Sequence, residues 1–227
     1  IAILLLLFGM FCGVSFATHN VGGYFRYDCL GQAGTTPDSV DYRLEFFYYR
    51  DTTLNPNPPG PPTSPPDIPN SINVSVFDLS NQLVKVVNIP LISLRMVPDN
   101  ISNPCVVDSP DLEVEEGYFE GTIRLAASKG HQFVYQRCCR NNNIANLPLG
   151  NPPTFDTDYY GNTYQIDVPS FSAVGCNSSP EFLEEPPLAL CFNIDVSSIG
   201  LNLSAIDTVD NDSIVYSFCA PLDFNYD

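Results

Sequence analysis

Val40-Asp-Tyr-Arg-Leu-Glu-Phe-Phe-Tyr-Tyr-Arg50 is the stretch that decides the fold. Tyr42, Leu44, Phe46 and Tyr48 fall on every second position, with Arg43, Glu45 and Tyr49 between them. A period of two in aromatic and branched residues describes a half-buried strand, not a helix. Ile72-Asn-Val-Ser-Val76 repeats the pattern. The polar pair Ser80-Asn81, between Leu79 and Gln82, is expected to turn the chain tightly into Leu83 to Ile89 and make a hairpin. Glu116 to Leu125 follows with Phe119, Ile123 and Leu125 inward, and Gln132 to Cys139 comes after a turn at Lys129-Gly130. The expectation is an all-β chain whose residues 18–174 form an antiparallel β-sandwich. Composition points the same way, because 21 prolines, no tryptophan and 27 Tyr and Phe residues leave little room for long helices. Asn55 to Pro69 holds eight of those prolines and a glycine, and it reads as an extended, polyproline-like spacer between strands.

The chain opens with an apolar run, Ile3-Leu-Leu-Leu-Leu-Phe8, that ends in Ser15-Phe16-Ala17. Such a run is too short to span a bilayer, and its small residues suit a signal peptidase, so residues 1–17 read as a signal peptide cleaved before Thr18. The mature chain is expected to be exported to the cell surface or the extracellular medium, with no membrane insertion after cleavage. A net charge of -17 repels nucleic acid and anionic membrane alike, so neither is an expected partner. The same charge suits a divalent cation.

Of the eight cysteines, Cys12 leaves with the signal peptide. Cys29, Cys105, Cys138, Cys139, Cys176, Cys191 and Cys219 remain, and export makes disulfides their default state. Cys138 and Cys139 are neighbours on an expected strand, so their side chains leave opposite faces and seek different partners. One is expected to pair with Cys105 and the other is left open to Cys29, with neither pairing fixed by sequence. Cys176 and Cys191 bracket a short loop whose closure would contribute about 3 kcal/mol.

Asp207-Thr-Val-Asp-Asn-Asp-Ser-Ile-Val-Tyr216 crowds Asp207, Asp210 and Asp212 just before an alternating stretch, Ser213 to Phe218, read as a strand. Crowded carboxylates repel, which gives them a use if calcium sits between them. The spacing is not that of an EF-hand, since Phe218 stands where the closing Glu belongs. Exposed aromatic residues are the other binding candidates: Tyr48 and Tyr49, of which Tyr48 reads as core, and above all Tyr159 and Tyr160 in a polar, turn-like stretch suited to stacking on a glycan. A hydrolase would need a carboxylate pair, and Glu116 with Glu120 or Asp156 with Asp158 can share a strand face. No Ser-His-Asp context accompanies either pair, and the reading is non-catalytic.

Several segments carry a family likeness. Glu115-Glu-Gly-Tyr-Phe-Glu-Gly-Thr-Ile-Arg124, then Tyr135-Gln-Arg-Cys-Cys-Arg-Asn-Asn-Asn-Ile144, resemble the N-terminal region of large Bacteroidetes gliding-motility-associated adhesins and other type IX secretion cargo. Thr18-His-Asn-Val-Gly-Gly-Tyr-Phe-Arg-Tyr-Asp-Cys-Leu-Gly31 and Phe47-Tyr-Tyr-Arg-Asp51 do so too, although Thr52 stands where those relatives carry a cysteine. Ser179-Pro-Glu-Phe182 and Ala205-Ile-Asp-Thr-Val-Asp-Asn-Asp-Ser-Ile-Val-Tyr216 are similar to the opening of a cadherin-like or Ig-like repeat, with Asn211 in place of the usual Gly. The resemblance implies a second, truncated β-sandwich over residues 175–227. It also implies a surface adhesin, with glycans or proteins outside the cell and downstream domains of the same chain as partners. A carbohydrate-binding accessory module of a secreted hydrolase is the alternative.

Overall fold

A computed structural model describes residues 20–34, 38–52, 68–98, 113–137, 161–184, 202–219 and 222. The expected signal peptide, residues 55–67 of the polyproline-like spacer, Cys105, Cys138, Cys139, Cys191, Asp156, Asp158, Tyr159 and Tyr160 lie outside the described residues.

The chain is all-β and antiparallel. Its strands are β1 (Asn20–Gln32), β2 (Ser39–Asp51), β3 (Ser71–Asp78), β4 (Leu83–Met96), β5 (Val114–Ala126), β6 (His131–Arg137) and β7 (Asn162–Val168). After a single helical turn, α1 (Phe171–Val174), come two short strands, β8 (Glu181–Phe182) and β9 (Ala205–Ile206). The first seven form one sheet in the order β1-β2-β5-β4-β3-β6-β7.

Strand β4 turns this sheet into a nearly closed, flattened barrel. Leu83 to Pro90 pairs with β3, whereas Leu91 to Met96 pairs with β5. The change of partner falls at Pro90, which has no N–H to give a ladder, and at an irregularity between Leu91 and Ser93. The two ends of the sheet then approach each other. The Tyr164 hydroxyl on β7 donates to Asn20 Oδ1 on β1 at 3.0 Å. Gly23 is required there, since a Cβ at that position would lie 2.7 Å from the Phe47 carbonyl oxygen and 3.1 Å from the Phe46 ring.

The interior is the face that the period-two reading marks as inward. Val40, Leu44, Phe46, Val74, Val76, Ile89, Phe119, Phe133 and Val168 are fully buried, and Phe46 packs among Phe25, Phe119, Tyr135 and Tyr164. The β3–β4 turn forms at the expected place. Asp78 accepts the N–H groups of Ser80 and Gln82, which holds its carboxyl below the usual range, and Asn81 takes the left-handed conformation (φ 59°) that Asn tolerates.

Two features depart from the sequence reading. Strand β2 is not half-buried, because Glu45 and Tyr49 on its outward face are buried as well. Long side chains from β1 and β5 cover them. In the C-terminal part, residues 213–218 carry no strand, with Val215, Tyr216 and Phe218 exposed. Alternation alone does not make a strand without a neighbouring ladder.

Candidate functional site

The covered outward face of β1, β2 and β5 is the most chemically organised surface of the described chain. Its register sets Tyr24 opposite Phe47, Arg26 opposite Glu45 and Asp28 opposite Arg43. On the other side of β2, Glu45 faces Glu120, Phe47 faces Tyr118 and Tyr49 faces Glu116. Directly opposed residues on one face are the pairs that interact in a sheet, so this register makes the site.

Its aromatic part is a row of rings across three strands. Tyr24 stacks on Phe47 at 4.8 Å with 14° between planes, and Phe47 meets Tyr118 at 5.1 Å. The Arg26 guanidinium lies over the Phe47 ring at 5.9 Å, within cation–π range. Tyr49 closes the row at 6.4 Å from Tyr24 and is buried with Val97 and Val114. Tyr49 is therefore packed rather than the exposed aromatic the sequence offered, and Tyr48 is core as expected.

Its polar part is a chain of ion pairs. Arg26 Nε donates to Glu45 Oε2 at 2.5 Å and Arg26 Nη1 to Glu181 Oε2 at 2.7 Å. The Tyr118 hydroxyl sits 2.6 Å from Glu45 Oε1 and 2.5 Å from Glu120 Oε2, so one proton faces two carboxylates. Burial acts to raise the Glu45 carboxyl, but the donors Arg26 and Tyr118 outweigh it and hold it below its usual range. Burial, and then the acceptors Glu120 and Glu45, push the Tyr118 phenol far up, so it stays a donor. Arg43 pairs with Asp28, and Arg124 pairs with Asp41 through two bonds of 2.8 and 2.9 Å.

Glu116 and Glu120 do share this face, as the strand period requires. Glu116 is nevertheless held by both nitrogens of the Arg95 fork, at 2.7 and 2.9 Å. Glu120 is instead coupled through Tyr118 to Glu45. That grouping was hidden from the sequence because Glu45 and Glu120 lie on separate strands, and only the β2–β5 register makes them neighbours.

The disulfide also differs from expectation. Cys29 is bonded to Cys176, with Cα atoms 5.4 Å apart, so the pairing of Cys176 with Cys191 is replaced and Cys29 is not joined to Cys138 or Cys139. The cause is a strap, residues 176–179, lying along the edge of β1. Ser179 N–H donates to the Tyr27 carbonyl and Tyr27 N–H to Ser179 Oγ, both at 2.9 Å, while Cys29 N–H donates to Ser178 Oγ at 3.1 Å. These bonds bring Cys176 to Cys29. Cys219 is exposed and unbonded.

The three aspartates serve the strap and its own loop. Asp207 accepts the N–H groups of Val209 and Asp210, Asp210 accepts Ser178 N–H at 2.6 Å, and Asp212 accepts the Asn177 amide at 3.1 Å. Among the described residues no three of His, Cys, Asp and Glu gather as a metal ion requires. Calcium needs six or more converging oxygens, and this donor set, with each carboxylate turned to a different donor, does not fit it.

Comparison with protein-family models, characterised proteins and solved structures finds no match for this chain. The Cys29–Cys176 bond suits an oxidising compartment, and among the described residues no helix is long and apolar enough to cross a membrane.

Proposed function

We propose that this chain is a non-catalytic, exported surface module of an adhesin-like protein, gliding-related by the likeness of its sequence, that binds glycans or proteins outside the cell through the outward face of β1, β2 and β5. The observation that carries the reading is the row Tyr24, Phe47 and Tyr118 with Arg26, Glu45 and Glu120 beside it on the outward face of the sheet. Rings fixed by stacking and charges fixed by ion pairs supply flat apolar area and directed hydrogen bonds with little side-chain entropy left to lose on binding. The strap contributes by tying the two halves of the chain together, as a module pulled at a surface requires.

A non-catalytic role agrees with the way the acids are used. Glu116 is tied into an ion pair with Arg95, and Glu45 is held below its usual range by Arg26 and Tyr118, away from the protonated state a general acid needs. The same rings would serve the alternative reading, a carbohydrate-binding accessory module of a hydrolase. Binding of the purified chain to a glycan array and to immobilised extracellular proteins tests the proposal, with Tyr24→Ser as the comparison. We expect ligands that the wild-type chain retains and Tyr24→Ser loses. No retained ligand in either format, or full retention by Tyr24→Ser, refutes it.

A further inference from the structure

The aromatic row on the outward face ends differently on its two sides. On the β1 side, Phe182 stands edge-on to Tyr24 at 5.5 Å, and Arg26 Nη1 donates to Glu181 Oε2 at 2.7 Å. On the β5 side, the row Tyr24, Phe47, Tyr118 runs on to Ser93, which the β4–β5 register sets opposite Tyr118. Ser93 is exposed and too small to cover a ring. Next to it Ile92, at the irregularity between Leu91 and Ser93, is 56% exposed. The partly exposed Tyr118 ring therefore closes the row as a step, with an open apolar residue near its foot.

Charge on the same side of the face is incomplete. Four of its carboxylates each pair with an arginine: Glu45 with Arg26, Asp28 with Arg43, Asp41 with Arg124 and Glu116 with Arg95. Among the described residues no Lys or Arg pairs with Glu120, whose contact is the Tyr118 hydroxyl at 2.5 Å. That hydroxyl has a single proton and also faces Glu45 at 2.6 Å, so it leaves the Glu120 charge uncompensated. Arg43 feels that charge, but its guanidinium is bound to Asp28. The register shows what is missing. Arg26 lies over Phe47 and donates to Glu45; one strand along, Tyr118 faces Phe47 and Glu120 faces Glu45. A ring and a carboxylate stand side by side a second time, without the guanidinium.

We propose that Tyr118 and Glu120 receive an arginine side chain from a partner protein, so that the ligand class of the face is a basic protein segment. The inference rests on the reading of this face as a binding surface and names what it takes. The guanidinium packs against the Tyr118 ring and donates to Glu120, and its aliphatic stem lies along Ile92 above Ser93. Charge complementarity favours this occupant, because a chain of net charge -17 draws a basic segment in from a distance and repels an acidic one. The site uses the β5 end of the row and leaves Glu181 and Phe182 where they are.

The test is a titration of the full chain with N-acetyl-arginine N-methylamide at low salt, read by amide chemical shifts. The citrulline analogue, which keeps the shape and loses the charge, is the control. We expect saturable shifts in the millimolar range centred on Ser93, Tyr118 and Glu120, and about tenfold weaker binding of the citrulline compound, as loss of a charge-assisted hydrogen bond predicts. Glu120→Gln, which keeps an acceptor for Tyr118 and so protects the fold, should weaken arginine binding to the citrulline level. Ser93→Leu should block it by filling the space beside the ring while leaving every charge in place. Absence of saturable shifts, an equal response to citrulline, or wild-type binding by Glu120→Gln or by Ser93→Leu overturns the proposal. A chain indifferent to arginine that still retains array ligands lost in Tyr24→Ser overturns the ligand class while the binding face stands.

Discussion

Removing the Cys29–Cys176 bond tests the closure of the fold most directly. The bond joins residues 147 apart, and the chain-entropy relation for a loop of that length gives about 5 kcal/mol of stabilisation, acting by restricting the unfolded chain. Any further cross-link inside the loop would shorten the free chain, but halving a loop removes only about 0.6 kcal/mol, so the figure is robust to one. The native strap has bonds of its own, from Ser179 to Tyr27 and from Ser178 to Cys29 N–H, and these do not depend on sulfur. The loss in a Cys29→Ser, Cys176→Ser double variant should therefore appear in the unfolded state, with the folded spectrum unchanged. Urea unfolding followed by circular dichroism is the assay. At an m value of about 2 kcal/mol/M, the midpoint should fall by about 2.5 M. Because domains are stable by only about 5–15 kcal/mol, a variant already unfolded without urea also meets the expectation when the wild type lies at the low end. A loss under about 1 kcal/mol with an unchanged m value would refute the reasoning, since a closed loop this long cannot contribute so little in that model. Mass spectrometry of the unreduced protein, which should link the Cys29 and Cys176 peptides, reads the pairing independently.

Three further outcomes follow from the same geometry. Gly23→Val should destabilise the chain by about 1–3 kcal/mol or more, because its side chain would meet the Phe47 carbonyl oxygen, and thermal unfolding would reveal it. Tyr118→Phe should cost about 1–2 kcal/mol in the same assay, since it leaves Glu45 and Glu120 without their shared donor. Stability should fall in acid in two steps. His131 is buried, and burial with Lys129 and Lys85 lowers its pKa from 6.5, so the unfolded chain takes up its proton first and stability declines as pH drops below that value. Glu45, held below 4.5 in the fold, contributes stability above that pH that is lost as pH falls further through its folded pKa. Urea midpoints measured from pH 8 to pH 3 should trace both, and a His131→Phe variant should lack the upper step.

The inward residues were legible because burial imposes a period that sequence preserves. Tyr42, Leu44, Phe46 and Tyr48 alternate, and the core is built on them. Strand β1 was harder to read because Gly22-Gly23 interrupts its pattern, yet Gly23 is there to let β7 approach. Strand β7 does carry the alternation, with Tyr164, Ile166 and Val168 between Thr163, Gln165 and Asp167, but the pattern is only three apolar positions long. The disulfide was read by loop length, which measures what a closure contributes and says nothing about which edge the strap finds. The aspartates were read from their charge, whereas their positions are set by the N–H groups of Ser178, Val209 and Asp210 and by the Asn177 amide.

The outward face shows why the proposed binding surface leaves a faint trace in the sequence. Arg26, Glu45, Tyr118 and Glu120 come from three strands and are spaced by topology, so no short motif can hold them. What each strand does show is a departure from the polar outward face expected of a half-buried sheet. Glu45 and Tyr49 on β2 are buried, and Tyr24 and Phe47 stack in the open layer where charged or small residues would suffice for solubility. Cross-strand rings add about 0.2–1 kcal/mol per pair to the sheet, whereas burying Glu45 carries a desolvation cost that Arg26 must offset. Charge placed at such cost beside stacked aromatics is the ground on which the proposed recognition role rests.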